Sequence, residues 1–435
     1  MQKKMFWLTL ILASLIVLIT ACGSSTPTST TISASPAIPS NENLYVLDGY
    51  ATSTFSNVEQ QIVAFRPSVV PSTALVTLPA GLVSQDHQKI YTASAQNDRT
   101  TITVTNTLTG ARIHSFVIPG NYTTAGQYYS KAVISANGRW LALDNPSPIG
   151  TLSTIVLVDT QAGKLVKTIQ LKGDFDLDAI SPDSSRLYLL EQLNDKAGHY
   201  NVRLYQVDQN QLLPYPIIDK QETDTSMVGS ALTRQMSSDG TIAYTLYTNT
   251  NTNTAFVHIL PLAGDYIGAR CIELLVGKST DLLHYYTLTL STDGTTLYAA
   301  NGALGIISTI NVQSAQVFDD HIGKTIHFDI GKANMTNGDK VRILYKGAML
   351  SPDQKTLYFV GIHGIWATDT ANLTIKNNYA TQQIFTGIAL STNGQTLYAI
   401  HPASGLTIVD VGSGQSQRIS LNTVRSPWGI EWISH

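Results

Sequence analysis

Residues 290–298 read Leu-Ser-Thr-Asp-Gly-Thr-Thr-Leu-Tyr, and the same pattern returns six more times in this chain of 435 residues. We name it the Ser-turn motif and number its Ser as position 0. An aliphatic residue or Met precedes every motif Ser, and Asp or Asn follows at position +2. The seven motif serines are Ser84, Ser135, Ser181, Ser237, Ser291, Ser351 and Ser391. Seven copies of one pattern indicate a fold built from repeated units.

Each motif has the composition of a β-hairpin whose second strand is apolar on both faces. Asp followed by Gly, as in Asp293-Gly294, accepts the left-handed backbone angles of a tight turn. Leu297 and Tyr298 follow that turn side by side, and adjacent residues of a strand point to opposite faces. Because no helical pattern is present to cover the sheets, they must cover one another. Radially stacked sheets, the blades of a β-propeller, meet this requirement, and motif spacings of 40 to 60 residues suit four short strands per blade.

The two chain ends predict how such a ring would close. Residues 43–48 resemble a second strand that lacks its first, and residues 428–434 resemble a first strand that lacks its second. Joined together, they would form one blade shared by both termini. The predicted fold is therefore an all-β propeller, with eight four-stranded blades favoured and seven as the alternative if one unit is irregular. The propeller domain would span residues 43–435.

The motif resembles the repeat of the YVTN-type, lactonase-like β-propeller family. The resemblance lies in residues 290–298 and 389–398, and in the strand and turn segments 158–163 and 408–414. It covers roughly residues 43–434 and implies the propeller fold. That family includes surface-layer proteins, lactonase-like enzymes and binding scaffolds, so the resemblance implies no single activity.

The first 22 residues resemble the export signal of a bacterial lipoprotein. Lys3 and Lys4 precede an apolar segment, residues 6–19, which is short for a membrane span and suits a secretory signal. The segment ends in Leu-Ile-Thr-Ala-Cys22, similar to a lipobox. The resemblance implies removal of residues 1–21, acylation of Cys22 and lipid anchoring to the bacterial cell membrane outside the cytoplasm. Residues 22–42, rich in Ser, Thr and Pro, would form a disordered tether.

Composition argues against nucleic acid as a partner. Only 13% of residues are charged, and loss of residues 1–21 would leave 25 basic against 30 acidic residues. Cys271 would be the one cysteine besides Cys22, so we expect no internal disulfide. Its apolar surroundings predict a buried strand residue.

The sequence assigns no catalytic residue and no cofactor, and the absence of Cys-x-x-Cys-His excludes covalently attached haem. Asp174, Asp176 and Asp178 are the metal candidates, because strand alternation would place their carboxylates on one face, where Ca²⁺ could bind. They lack the Gly and the distal Glu of a calcium loop, which favours a solvated strand entry. Asp319, Asp320, His321 and His327 similarly suggest an exposed loop rather than a metal cluster.

The favoured function is therefore a non-catalytic scaffold that binds a protein, a peptide or a glycan. Every repeated polar residue has a structural explanation in the turns, which leaves no catalytic set. Two alternatives stay open: a lactonase-like hydrolase using a divalent metal held in the channel, and a purely structural component of the envelope.

Overall fold

The structure is a computed structural model. It describes residues 38–51, 58–124, 131–145, 152–193, 198–221, 226–312, 320–331, 346–401 and 405–435. The predicted signal peptide, Cys22 and the tether up to residue 37 lie outside the described residues. All of the described residues belong to one compact unit, Ser35–His435.

The described residues form eight antiparallel sheets, which we name blades A to H in chain order of their second strands. Blade A contains β1 (Asn43–Ala51), β2 (Val58–Phe65) and β3 (Ala74–Pro79). Blade B contains β4 (Leu82–Val83), β5 (Lys89–Gln96), β6 (Arg99–Asn106) and β7 (Arg112–Pro119), and blade C contains β8 (Ala132–Ile134), β9 (Trp140–Asp144), β10 (Ser153–Asp159) and β11 (Lys164–Leu171). Blade D contains β12 (Phe175–Ile180), β13 (Arg186–Gln192), β14 (His199–Gln206), β15 (Gln211–Leu212) and β16 (Met227–Val228).

Blades E to H follow the same plan. Blade E contains β17 (Ser230–Met236), β18 (Ile242–Asn249), β19 (Thr254–Pro261) and β20 (Arg270–Glu273), and blade F contains β21 (Tyr286–Leu290), β22 (Thr296–Asn301), β23 (Ile306–Asn311) and β24 (His321–His327). Blade G contains β25 (Ala348–Leu350), β26 (Thr356–Val360), β27 (Ile365–Asp369) and β28 (Ile375–Tyr379). Blade H contains β29 (Gly387–Leu390), β30 (Thr396–His401), β31 (Gly405–Asp410) and β32 (Ser416–Ser420). The last strand, β33 (Pro427–Ser434), completes blade A. A 3₁₀ helix, Thr280–Tyr285, precedes β21.

This arrangement is an eight-bladed β-propeller, which confirms the favoured blade count over the alternative of seven. Seven blades have four strands in sequential order, whereas blade A joins β33 to β1–β3. Blade D gains a fifth strand, β16, which pairs with β14. In the part of the chain that the structure describes, no helix has the length and apolar character needed to cross a membrane.

The Ser-turn motif forms the predicted hairpin in every copy. In Ser237, for example, Oγ donates to Asp239 Oδ1 at 2.6 Å and accepts from the backbone N–H of Ile242 at 2.9 Å. The same two bonds recur in the other six motifs. The motif Ser and its Asp or Asn therefore act as the hydrogen-bonded core of the turn.

Position +3 has a left-handed backbone in all seven turns, although only four copies carry Gly there. His87, Ser184 and Gln354 adopt φ values of 57°, 64° and 60°. Gly240 illustrates a second constraint, because a Cβ at this position would lie 2.1 Å from Ala136 Cβ of blade C. Turns of different blades thus approach one another closely, which only Gly permits at that point.

The Leu-Tyr pairs explain how the blades stack. Residues at position +6 pack against the preceding blade, and those at +7 pack against the following blade. Tyr244 of blade E and Leu297 of blade F share one cluster of buried side chains, while Tyr298 and Leu357 share the next. Eight such clusters occur among the described residues, one for each interface between neighbouring blades. Both faces of the sheets are buried, as the sequence predicts.

The ring closes through blade A. The C-terminal β33 pairs antiparallel with the N-terminal β1, from Asn43 opposite Ser434 onward. Tyr398 of blade H packs in the same cluster as Leu44 of blade A. Glu42, only 1% exposed, adds polar contacts: it accepts bonds from Tyr398 Oη at 2.8 Å and from the N–H of Thr392 at 2.9 Å.

The two faces of the ring differ. All seven Ser-turn motifs lie on one face, which we name the turn face. They contact each other across blades: Gln85 Nε2 of blade B donates to the carbonyl of Ser237 in blade E at 3.2 Å, and Asn137 Nδ2 donates to the carbonyl of Pro182 at 2.8 Å. On the opposite face, the loop face, first strands begin and second strands end.

The hydrogen bonds of the motif predict a contrast between two adjacent serines. Ser237→Ala removes both turn bonds of a buried hydroxyl, and we expect a loss of about 1 kcal/mol in the free energy of unfolding. Ser238→Ala changes an exposed side chain in the same turn and should have no measurable effect. Denaturant unfolding of both variants measures the difference, and equal stabilities would contradict a structural role for the motif Ser.

Candidate functional site

The loop face carries a group of charged side chains beside the central axis, on and next to the inner strands of blades C and D. Lys131 Nζ lies 3.1 Å from Asp144 Oδ2 and 2.8 Å from Asp176 Oδ1. Gln192 Nε2 donates to the second carboxylate oxygen of Asp176 at 3.1 Å. Lys131 precedes β8, Asp144 ends β9, Asp176 lies near the start of β12 and Gln192 ends β13, so four chain segments contribute to this loop-face cluster.

A second ion pair joins blades D and E. The guanidinium of Arg234, on β17, binds Asp178 Oδ1 through Nη2 and donates through Nη1 to the carbonyl of Asp178 at 2.6 Å. Arg234 Nε also donates to Thr245 Oγ1 at 2.7 Å. The inner strands of adjacent blades are therefore linked by charge as well as by apolar packing.

The three predicted metal candidates do not share one face. Leu177 pairs with Leu189 and Ala179 with Tyr188, so Asp178 occupies a β-bulge that interrupts the alternation. As a result Asp176 contacts a lysine from blade C, whereas Asp178 contacts an arginine of blade E. A solvated entry is also wrong for these two residues, which are 5% and 4% exposed. Asp174, partly buried, lies just before β12.

The other candidates also differ from expectation. Asp319 lies outside the described residues, but Asp320 is buried, and His321 and His327 are the two ends of β24 rather than loop residues. Cys271 does lie in a strand, β20, as predicted, but it is half-buried. Within the described ranges, no three His, Cys, Asp or Glu side chains are grouped so that they could hold a metal ion.

The protonation of Asp144 depends on its surroundings. Burial raises the pKa of this carboxyl to about 6, against the opposing effect of Lys131, and the negative charges of Asp176 and Asp174 raise the pKa further. The pKa of Lys131 is raised despite burial, because the ammonium is bonded to Asp176 and Asp144. The loop-face cluster can thus gain a proton in mildly acidic solution while Lys131 stays charged.

Sequence reasoning missed Lys131, Arg234 and Glu42. Lys131 and Asp176 are 45 positions apart, and Arg234 and Asp178 are 56 apart, so no local pattern links them. Glu42 lay at the end of the predicted tether, where its only signal was a lone acid in a Ser- and Thr-rich segment.

The raised pKa of Asp144 predicts that the free energy of unfolding depends on pH. Because the folded pKa lies above the ordinary value of 3.8, the folded state binds more protons between pH 4 and 6, and stability falls as pH rises through this window. Relative to Asp144→Asn, the wild type should lose on the order of 2 kcal/mol between pH 4 and pH 7. Chemical unfolding of the wild type and of Asp144→Asn across this pH range measures the loss.

Asp159→Asn is the control for this prediction. The pKa of Asp159 is lowered: burial opposes the shift, but bonds from the backbone N–H of Ala162 and from Arg139 outweigh it. The folded carboxyl titrates below the window and the unfolded one near 3.8, so the stability difference from the wild type should change by only a few tenths of a kcal/mol from pH 4 to 7, and in the opposite direction to that of Asp144. An equally small change for Asp144→Asn would refute the raised pKa.

Comparison with protein-family models and with curated protein sequences gave no match. Similar solved structures include the dihydro-heme d1 dehydrogenase NirN in complex with DHE, 15% identical, covering 92% of this chain and 77% of its own, with a TM-score of 0.49. A protein from Bacteroides uniformis named as a 6-phosphogluconolactonase is 15% identical and covers 79% of this chain and 99% of its own, with a TM-score of 0.39.

A third similar structure is the β-propeller domain of Cps50 (Swd1) from Myceliophteria thermophila. It is 12% identical and covers 80% of this chain and 98% of its own, with a TM-score of 0.39. Likeness at these identities and TM-scores carries no argument about activity, ligand or location.

Proposed function

We propose that this chain is an extracytoplasmic lipoprotein, anchored to the bacterial cell membrane through Cys22, whose propeller is a non-catalytic scaffold for a protein, peptide or glycan partner. The observation that carries the scaffold role is the use of the motif side chains. Each repeated Ser donates to its own Asp or Asn within the turn, so these residues serve folding and not nucleophilic chemistry.

The path of the N-terminal segment supports presentation of the loop face. Ile38 packs against the cluster between blades H and A, and Glu42 is bonded to the Ser-turn motif of blade H. The chain therefore enters the propeller on the turn face. A lipid on Cys22 would therefore be joined through the tether to the turn face, which leaves the loop face free of the attachment.

The chemistry of the loop face supports a polar partner. Lys131, Asp144, Asp176 and Gln192 are already bonded to one another, so at neutral pH a partner would meet a group with one net negative charge. Such a surface suits backbone amides or sugar hydroxyls better than a polyanion. The excess of acidic residues in the whole chain agrees with this choice.

Metabolic labelling with an alkyne fatty acid tests the anchor. Cells producing the full-length wild type should yield a labelled protein in the membrane fraction, because acylation at Cys22 would add the alkyne. Cys22→Ala should lose the label, whereas Cys271→Ala, the matched change at the other cysteine, should keep it. An unlabelled wild type, or label retained in Cys22→Ala, would refute acylation at this residue.

The same cells can test the scaffold role by photo-crosslinking. Thr252 and Ser238 both lie exposed on blade E, the first in the β18–β19 connection on the loop face and the second on the turn face. A photoreactive residue at position 252 should yield a discrete crosslinked adduct in intact cells, and one at 238 should not. Adducts from 238 alone, or from neither position, would contradict binding on the loop face.

A further inference from the structure

A cavity of about 310 Å³ lies at the loop-face end of blade E, away from the axis and apart from the loop-face cluster. Strands β19 and β20 form one wall, and the segment that leads from blade D to blade E forms the other. Its lining is mainly apolar, with Ile217, Val228, Phe256 and Leu274 among the contributors. Exposed Thr254 and Glu273 lie at its rim. Ligand pockets in proteins begin at roughly this volume.

A histidine and a cysteine lie side by side in this cavity. His258 on β19 and Cys271 on β20 are direct cross-strand partners, so both point to the same side of the sheet, and both line the cavity. His258 is only 2% exposed, and its ring nitrogens form no hydrogen bond to any described residue. The ring contacts Tyr247 edge-on, with centroids 6.1 Å apart. Because neither ring nitrogen is among the fully buried polar atoms that lack a partner, the imidazole can bond to a molecule that occupies the cavity.

The buried carboxylate at this cavity is already paired. Asp219, which also lines the cavity, accepts bonds from Arg270 Nη1 at 2.9 Å and from the N–H of Cys271 at 2.8 Å. Its other oxygen accepts from the N–H of Gln221 at 2.9 Å. Arg270 is thereby occupied, so no unpaired cation among these residues is left to neutralise an anionic ligand.

Burial also keeps His258 uncharged. It lowers the pKa of the imidazole to about 4, although Asp178 opposes the shift. At neutral pH the ring therefore has one N–H donor and one nitrogen acceptor. The hydrogen-bonding capacity is that of a neutral group at the end of an apolar pocket.

We propose that this cavity binds a small, neutral, largely apolar organic molecule through one hydroxyl or similar group that hydrogen-bonds to His258, with its apolar body against Phe256 and Leu274. The thiol of Cys271 would lie beside the bound molecule. This site goes beyond the proposed scaffold role, because it lies off the axis and needs no macromolecular partner.

Three probes with the same tolyl body test the site: p-cresol, p-xylene and p-toluate. The readout is the rate at which iodoacetamide alkylates Cys271 in the full-length protein in detergent, followed by mass spectrometry, with glutathione as a reference thiol. We expect p-cresol to slow alkylation at concentrations about fivefold to tenfold lower than p-xylene, since one hydrogen bond separates them. The p-toluate anion should protect no better than p-xylene at pH 7.4.

Two histidine variants locate the effect. His258→Phe should abolish the preference for p-cresol over p-xylene, whereas His327→Phe, at the end of β24, should preserve it. The proposal is overturned if p-cresol gives no protection, if p-xylene or p-toluate protects equally well, or if His258→Phe retains the preference. Should His258→Phe fail to fold, the ranking of the three probes on the wild type decides alone.

Discussion

The structure depends on one constraint: both faces of every sheet are apolar, so each blade needs a neighbour on each side. The Leu of the Ser-turn motif contacts the blade before and the Tyr contacts the blade after, as Leu297 and Tyr298 show. An open stack would leave its two end faces exposed to water. The apolar area that stays unburied there would make an open stack less stable than a closed ring. A closed ring removes both ends, and it does so here without any disulfide between described residues.

The same plan separates the tasks of the two faces. Tight turns and their mutual contacts occupy the turn face, where the N-terminal segment also enters through Glu42. The loop face carries longer connections, the bonded group around Lys131 and, farther out, the cavity of His258. A rigid ring with its variable segments on one side is an arrangement that commonly supports binding. The proposed lipid anchor would fit this division, because it joins the turn face and leaves the longer connections on the other side of the ring.

Much of the fold follows from local pattern, whereas the site does not. Ser291, Asp293 and Gly294 specify a turn within five residues, and the adjacent Leu and Tyr specify two buried faces, so repeat, hairpin and closure could be predicted from the sequence. The bulge at Asp178 could not, because one extra residue in a strand leaves no compositional mark yet reverses the direction of a side chain. The partners of Asp176 and Asp178 come from other blades, and pairing across blades has no sequence period. The loop predicted at His321 was wrong for a different reason, because a polar outer strand has the same composition as an exposed loop.

Closure of the ring through blade A is the central claim, and a disulfide between the two chain ends tests it directly. Asn43 and Ser434 are opposed in the β1–β33 pairing, and Cα atoms of such partners lie about 4.5–5.5 Å apart, within reach of a disulfide. In a Cys22→Ser, Cys271→Ser background, oxidised Asn43→Cys/Ser434→Cys should contain one intramolecular bond joining the terminal peptides and should melt at a higher temperature than its reduced form. Thiols that stay reduced, bonds only between separate chains, or a lower melting temperature after oxidation would contradict the shared blade.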